Sequence, residues 1–145
     1  MTPSQKCVEM VARFEGFRAE AYKDMGGVWT IGFGFTDGVK PGDVMTRKEA
    51  DARLLVELQK FADGVDALCS ATVSQNELDA MTSLAYNIGL GAFTKSSVLR
   101  MHNIGAEQAA GRAFSLWNKV GGRVIPGLSA RRAKEAALYL QDSVL

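Results

Sequence analysis

The sequence predicts an α+β fold, mainly α: a small N-terminal lobe with a short antiparallel sheet, joined by a long helix to a helical C-terminal lobe. Three observations predict it. Strict apolar alternation runs through Trp29, Ile31, Phe33 and Phe35, and a period of two marks a strand. A long run at helix spacing follows, with Ala50, Leu54, Leu55, Leu58 and Phe61 on one face. Beyond residue 70, helical patterns alternate with Gly and Pro punctuation. At 145 residues the chain is long enough for one domain with a sizeable core. That domain covers 1–145, with lobes of roughly 14–60 and of 1–13 plus 61–145.

Residues 4–14 read as an amphipathic helix that turns Val8, Val11, Ala12 and Phe14 toward a core, and Gly16 is a natural stop just after Glu15. Residues 19–41 hold the turns and short strands, with a hairpin turn at Met25-Gly26-Gly27 ahead of the 29–35 strand. The other side of that strand, Thr30, Gly32, Gly34 and Thr36, is nearly bare. Two glycines on one strand face weaken it and imply close approach by another backbone or a ligand. Thr46-Arg47-Lys48-Glu49 forms a capping box that opens the long helix, which runs to about Leu68. Ser74-Gln75-Asn76-Glu77 is a second one, starting a helix through Leu78, Met81, Leu84 and Ala85 that stops at Gly89-Leu90-Gly91. Further helices are expected over 95–103, 106–118 and 129–141, with Gly121-Gly122 and Pro126-Gly127 as breaks.

Composition excludes several classes. No apolar run approaches the ~20 residues that cross a bilayer, and the first seven residues lack the apolar stretch of a secretory signal. The chain is therefore expected to accumulate in the cytoplasm. Net charge is +1, unevenly spread: residues 1–69 carry nine Lys or Arg against eleven Asp or Glu, and 70–145 carry eight against five. A modestly basic second half would favour an anionic polymer, but no basic stripe interleaved with aromatics supports a nucleic-acid partner. Cys7 and Cys69 match no metal spacing and are expected to be reduced, half-buried apolar side chains. With His102 as the single histidine, a zinc site is hard to build, and no metal or cofactor is expected.

The chemistry-bearing residues lie in 14–35. General acid–base catalysis by a pair of carboxyls takes one that is still protonated and one already ionised. Glu15, at a helix C-terminus between Phe14 and Phe17, suits the first role, because the negative end of the helix dipole and the apolar neighbours both favour its neutral form. Asp24, after Lys23 and before the Gly26-Gly27 turn, suits a solvated, ionised general base that activates water. Thr30, on the bare strand face, could hold that water or orient Asp24. Each of these has a bland reading: a solvated surface Glu, an Asp that caps its own turn, a β-branched strand filler.

The run from Phe14 to Phe35 resembles the catalytic segment of the phage-type lysozymes, glycoside hydrolase family 24: a Glu, an Asp nine positions on, and a Thr six further within Thr30-Ile31-Gly32-Phe33-Gly34. Two later stretches are similar to the family's other signatures, Gln75-x-x-Leu78-Asp79-Ala80-x-x-Ser83-x-Ala85-Tyr86-Asn87-Ile88-Gly89 and 121–128 followed by Arg131-Arg132. The likeness covers nearly the whole chain. It implies a lysozyme-like fold and an endolysin-type muramidase that cuts the β-1,4 bond between N-acetylmuramic acid and N-acetylglucosamine, with inversion, so lysing a host cell. Glu15, Asp24 and Thr30 would be catalytic. Thr36, Tyr86, Asn87, Ser96 and Ser97 would contact sugar, in a cleft between the lobes. Arg131 or Arg132 would approach the cleft and hold Glu15, unless the pair is a solvated helix face.

The implied partners are peptidoglycan glycan strands and a holin-type protein for release from the host cytoplasm to the periplasm and wall, with the chain acting as a monomer, without stable membrane insertion. One departure stands out: many members have a His after the strand where this chain has Phe35, which bears on local packing. The alternatives are a lytic transglycosylase, which needs the acid but no water-activating Asp, and a cysteine amidase or endopeptidase using Cys7 and His102.

Overall fold

Helix α1 (Gln5–Glu15) opens on Ser4, whose hydroxyl accepts from the Cys7 amide at 3.3 Å. It closes where Gly16 turns out of the helix at φ +69° with its amide on Ala12 O. Strand β1 (Arg18–Lys23) pairs antiparallel with β2 (Trp29–Gly32), and α2 (Arg47–Leu68) follows. Its capping box is complete: Thr46 Oγ1 accepts from Glu49 N at 3.1 Å and the Thr46 amide donates to Glu49 Oε1 at 3.0 Å. The structure is a computed structural model that describes residues 1–141. It divides the chain into two units, Val8–Glu57 and Met1–Cys7 plus Leu58 onward, so that α1 and α2 both start in one unit and end in the other.

In the smaller unit the expected 29–35 strand is cut short. Gly32 and Gly34 adopt φ +66° and +86°, a left-handed backbone that ends an extended run. Phe33 and Gly34 therefore make a turn, and Phe35 folds back on Ile31 through two hydrogen bonds of 2.9 Å. As a result the alternation breaks down: Thr30 is buried along with Ile31, Phe33 and Phe35. Phe33 meets Phe17 at 5.8 Å and Phe35 edge-on at 6.3 Å. Arg47 lies 5.0 Å from the Phe33 ring centre and Arg53 4.5 Å from that of Phe35, where the guanidinium gains from the ring face. Phe35 thus serves this chain as a packing residue.

The larger unit is built around α3 (Gln75–Ile88), buried from Asn76 to Ala85. Its Ser74–Glu77 capping box forms as predicted, and Gly89 caps its end at φ +89°. The chain then makes α4 (Leu90–Thr94), where the sequence suggests only a break, followed by α5 (Ser97–Asn103), α6 (Glu107–Ala113) and a 3-10 turn, Phe114–Leu116. A second hairpin, β3 (Lys119–Val120) with β4 (Arg123–Val124), occupies the Gly121-Gly122 break. Helix α7 (Pro126–Leu140) starts earlier than expected, with Pro126 in its first turn, a position that needs no amide donor. It packs on α3, α6 and the 3-10 turn. Buried Asp79 on α3 holds the N-terminal segment, accepting from the Ser4 amide at 3.0 Å and from the Ser4 hydroxyl.

Candidate active site

Glu15 is the last residue of α1 and is half-buried. The strand–turn glycines decide where its carboxyl can sit. A Cβ on Gly34 would lie 2.9 Å from Glu15 Oε1, so only glycine suits both the positive φ and the space there. Close approach is found at Gly34, but by the Glu15 side chain and not by the backbone or ligand that the bare strand positions implied. At Gly32 the neighbour is the Phe35 ring, 2.7 Å from an added Cβ.

Asp24 is exposed in the β1–β2 connection. Its backbone closes the turn, with Asp24 N donating to Val28 O at 2.9 Å and Gly27 N to Asp24 O at 3.0 Å. Its side chain serves the same turn through one oxygen: Oδ1 accepts from Gly26 N at 2.9 Å and Val28 N at 2.8 Å. Oδ2 accepts no hydrogen bond from the described residues. The capping role and a role toward solvent are thus compatible, because one oxygen orients the group and the other remains an acceptor for a ligand or water.

Thr30 is 4% exposed, not on an open face. Its hydroxyl donates to Val28 O at 2.9 Å, the same carbonyl that receives the Asp24 amide. It thereby braces the Asp24 turn through the backbone. Beside it, Tyr22 pairs with Thr30 across the ladder and carries the Arg18 guanidinium 4.2 Å from its ring centre. Thr36 is exposed just after the Phe35 bridge.

The remaining candidates lie in the larger unit. Tyr86 is half-buried, edge-on to Phe61 at 5.3 Å. Asn87 is exposed, and its Oδ1 accepts from Arg132 Nη2. Ser97 Oγ accepts from Arg100 Nη2 at 2.8 Å. Ser96 does not suit a sugar contact: it is 2% exposed, and its hydroxyl caps α5, accepting from Leu99 N and donating to Phe93 O.

Arg131 and Arg132 are buried, which excludes a solvated helix face. Both guanidiniums meet Glu135, itself fully buried, Arg131 through Nε at 3.1 Å and Arg132 through Nη1. Ser83 Oγ donates to Glu135 at 2.5 Å, while Arg131 reaches Ser83 O at 3.1 Å and Arg132 Nε reaches Trp117 O at 2.7 Å. The role of Glu135 was not read from the sequence; its spacing of three and four from the two arginines was the available signal.

The cysteine alternative fails on local geometry. Cys7 is fully buried, not half-buried; burial pushes its thiol well above the usual range, and its Sγ donates to Asp79 O at 3.5 Å. Burial also raises Cys69, to about 11, so neither thiol has the thiolate character that a nucleophile needs. His102 is buried with Nδ1 bonded to the Tyr139 hydroxyl at 2.7 Å. Among the described residues no three His, Cys, Asp or Glu side chains converge as a metal site would require.

The family model described as phage lysozyme matches residues 12–135, from just before Glu15 through Glu135. The chain belongs to the phage lysozyme family. This family member is 42% identical over 142 residues to an endolysin of Bacillus phage PZA, covering 96% of the chain and 55% of that relative. It is 39% identical to the endolysin of Salmonella phage P22, covering 97% and 99%. The chain thus spans about half the length of its Bacillus phage relatives. Among solved structures, the muramidase domain of SpmX from Asticaccaulis excentricus superposes with a TM-score of 0.91 at 35% identity, covering 97% of this chain and 99% of that one. The lysozyme-like fold expected from the sequence is the fold found.

Proposed function

We propose that the chain is an inverting muramidase that hydrolyses the β-1,4 bond between N-acetylmuramic acid and N-acetylglucosamine in peptidoglycan, acting as the lytic enzyme of a phage. Glu15 protonates the leaving oxygen, and Asp24 takes a proton from the water that attacks the opposite face of the sugar. Thr30 is a positioning residue that keeps the Asp24 turn in shape. Thr36, Tyr86, Asn87 and Ser97 are the proposed sugar contacts.

The observation that carries this reading is the contrast between the two carboxyls: Glu15 is half-buried at a helix end against Gly34, whereas Asp24 is exposed with one oxygen held by its turn and the other accepting no hydrogen bond from the described residues. An acid and a base in one site need such different surroundings. The names of the relatives, endolysin and muramidase domain, point the same way. Action at the wall after release from the host cytoplasm by a holin-type protein, and action as a monomer, belong to the same proposal through the family likeness. Mass spectrometry of digested peptidoglycan tests it. Hydrolysed muramic acid ends are expected; anhydro ends would instead show a transglycosylase, and cleaved stem peptides an amidase or endopeptidase.

A further inference from the structure

Residues 108–134 contain no Asp or Glu, against six Lys or Arg. Arg131 and Arg132 are buried on Glu135, but Arg112, Lys119, Arg123 and Lys134 are exposed. The same segment concentrates exposed aliphatic side chains: Leu116 (65%), Val120 (63%), Val124 (55%) and Ile125 (37%). Scattered exposed hydrophobics are ordinary; four within ten residues, among cations and without a single acid, are a patch.

The β3–β4 hairpin explains how the patch is presented. Its two-residue turn, Gly121-Gly122, has φ of +57° and +80°, the backbone that a tight hairpin needs. Lys119 stands opposite Val124, and Val120 opposite Arg123. Residues directly opposite share a face, so each face of the ribbon carries one cation and one valine, and all four are exposed. A two-stranded ribbon is marginal alone, and this one is pinned at its base. Ile125 N donates to Asn118 O at 2.8 Å, Asn118 Nδ2 to Ser129 Oγ at 3.1 Å, and Arg132 to the Trp117 carbonyl. The result is a pinned projection whose aliphatic side chains stay exposed to solvent.

We propose that the 116–125 hairpin region docks tip-first on an anionic lipid surface, so that both faces of the ribbon enter it, with Lys119 and Arg123 reaching back to the headgroup phosphates and Leu116, Val120, Val124 and Ile125 at the acyl boundary. Charge complementarity selects a negative partner. The aliphatic side chains select lipid over a hydrophilic polyanion, which would satisfy the cations but offers no apolar phase for the valines. The contact is peripheral, since among the described residues no helix is long and apolar enough to cross a membrane. It is independent of the muramidase reading.

The test is flotation of the full chain with vesicles of phosphatidylglycerol and phosphatidylcholine, against phosphatidylcholine alone, with no peptidoglycan present. The chain should float only with the anionic vesicles and less at raised salt. The doubles Val120→Ser/Val124→Ser and Lys119→Gln/Arg123→Gln, each checked for its folded state by circular dichroism, should each lose roughly tenfold or more in partitioning. If a double fails to fold, Leu116→Ser takes its place with the same expected direction. The proposal is overturned if the wild type does not float with anionic vesicles. It is equally overturned if the valine double binds as well as the wild type and soluble polyphosphate competes fully, because the surface then reads charge alone.

Discussion

The turn that carries Asp24 and the cluster around Glu135 both centre on a carboxylate, and they are built in opposite ways. Asp24 is exposed and oriented by backbone amides within four residues of itself. Glu135 is fully buried and matched by side chains, two guanidiniums and the Ser83 hydroxyl, with Ser83 52 positions away in sequence. A carboxylate held by its own turn can leave one oxygen for a ligand at little cost, because the turn forms regardless. One held by buried cations has its lone pairs committed, and what it contributes is the arrangement of the helices that meet there. The first construction suits chemistry, the second scaffolding.

The largest expected effect sharpens that division. Glu135→Ala takes a fully buried carboxylate away from two buried guanidiniums, and breaking such a pair costs about 3–5 kcal/mol. Urea denaturation should show a loss of that size, and a loss under 1 kcal/mol would mean that the cluster is not the scaffold described. Glu15→Gln should do the reverse. Lytic activity of pure protein falls by at least ~10²-fold, the usual weight of general acid catalysis, while the denaturation midpoint stays close to that of the wild type. Near-normal activity in that variant removes Glu15 from the chemistry.

Gly34→Ala probes the joint between fold and site, with a smaller effect on stability. Alanine at φ +86° costs about 1–2 kcal/mol, and its methyl would displace the Glu15 carboxyl. Activity should therefore fall more than the stability change accounts for, at a temperature where the variant is fully folded. A loss confined to stability would show that the position of Glu15 does not depend on Gly34.

These differences also mark what the sequence could reveal. The capping boxes at Thr46 and Ser74 were legible because they are local chemistry, closed within three residues. The helix end at Glu15, the turn at Asp24 and the strand that holds Thr30 were legible from local pattern. The end of β2 was not, because apolar alternation says nothing of φ, and Gly32 and Gly34 turn the chain while the pattern of Phe33 and Phe35 continues. Helix α4 was hidden by the two glycines that flank Leu90, and Ser96 was read as a sugar contact through the family likeness because its cap on α5 appears only once the helix start is known. Glu135 was invisible for a deeper reason: on α7 it reads as one more charged residue, and only the packing of α7 on α3 brings Ser83 to it and removes water from the arginines.

The central claim is that an acid and a base of separate character, Glu15 and Asp24, deliver water to the face of the sugar opposite the departing oxygen. Time-resolved proton NMR of a glycan digest tests it most directly, by following the anomeric signal of the newly released reducing end before mutarotation. The account predicts that the α-anomer appears first, since a β bond is opened with inversion. Initial release of the β-anomer would contradict it and make one carboxylate a nucleophile instead of a base.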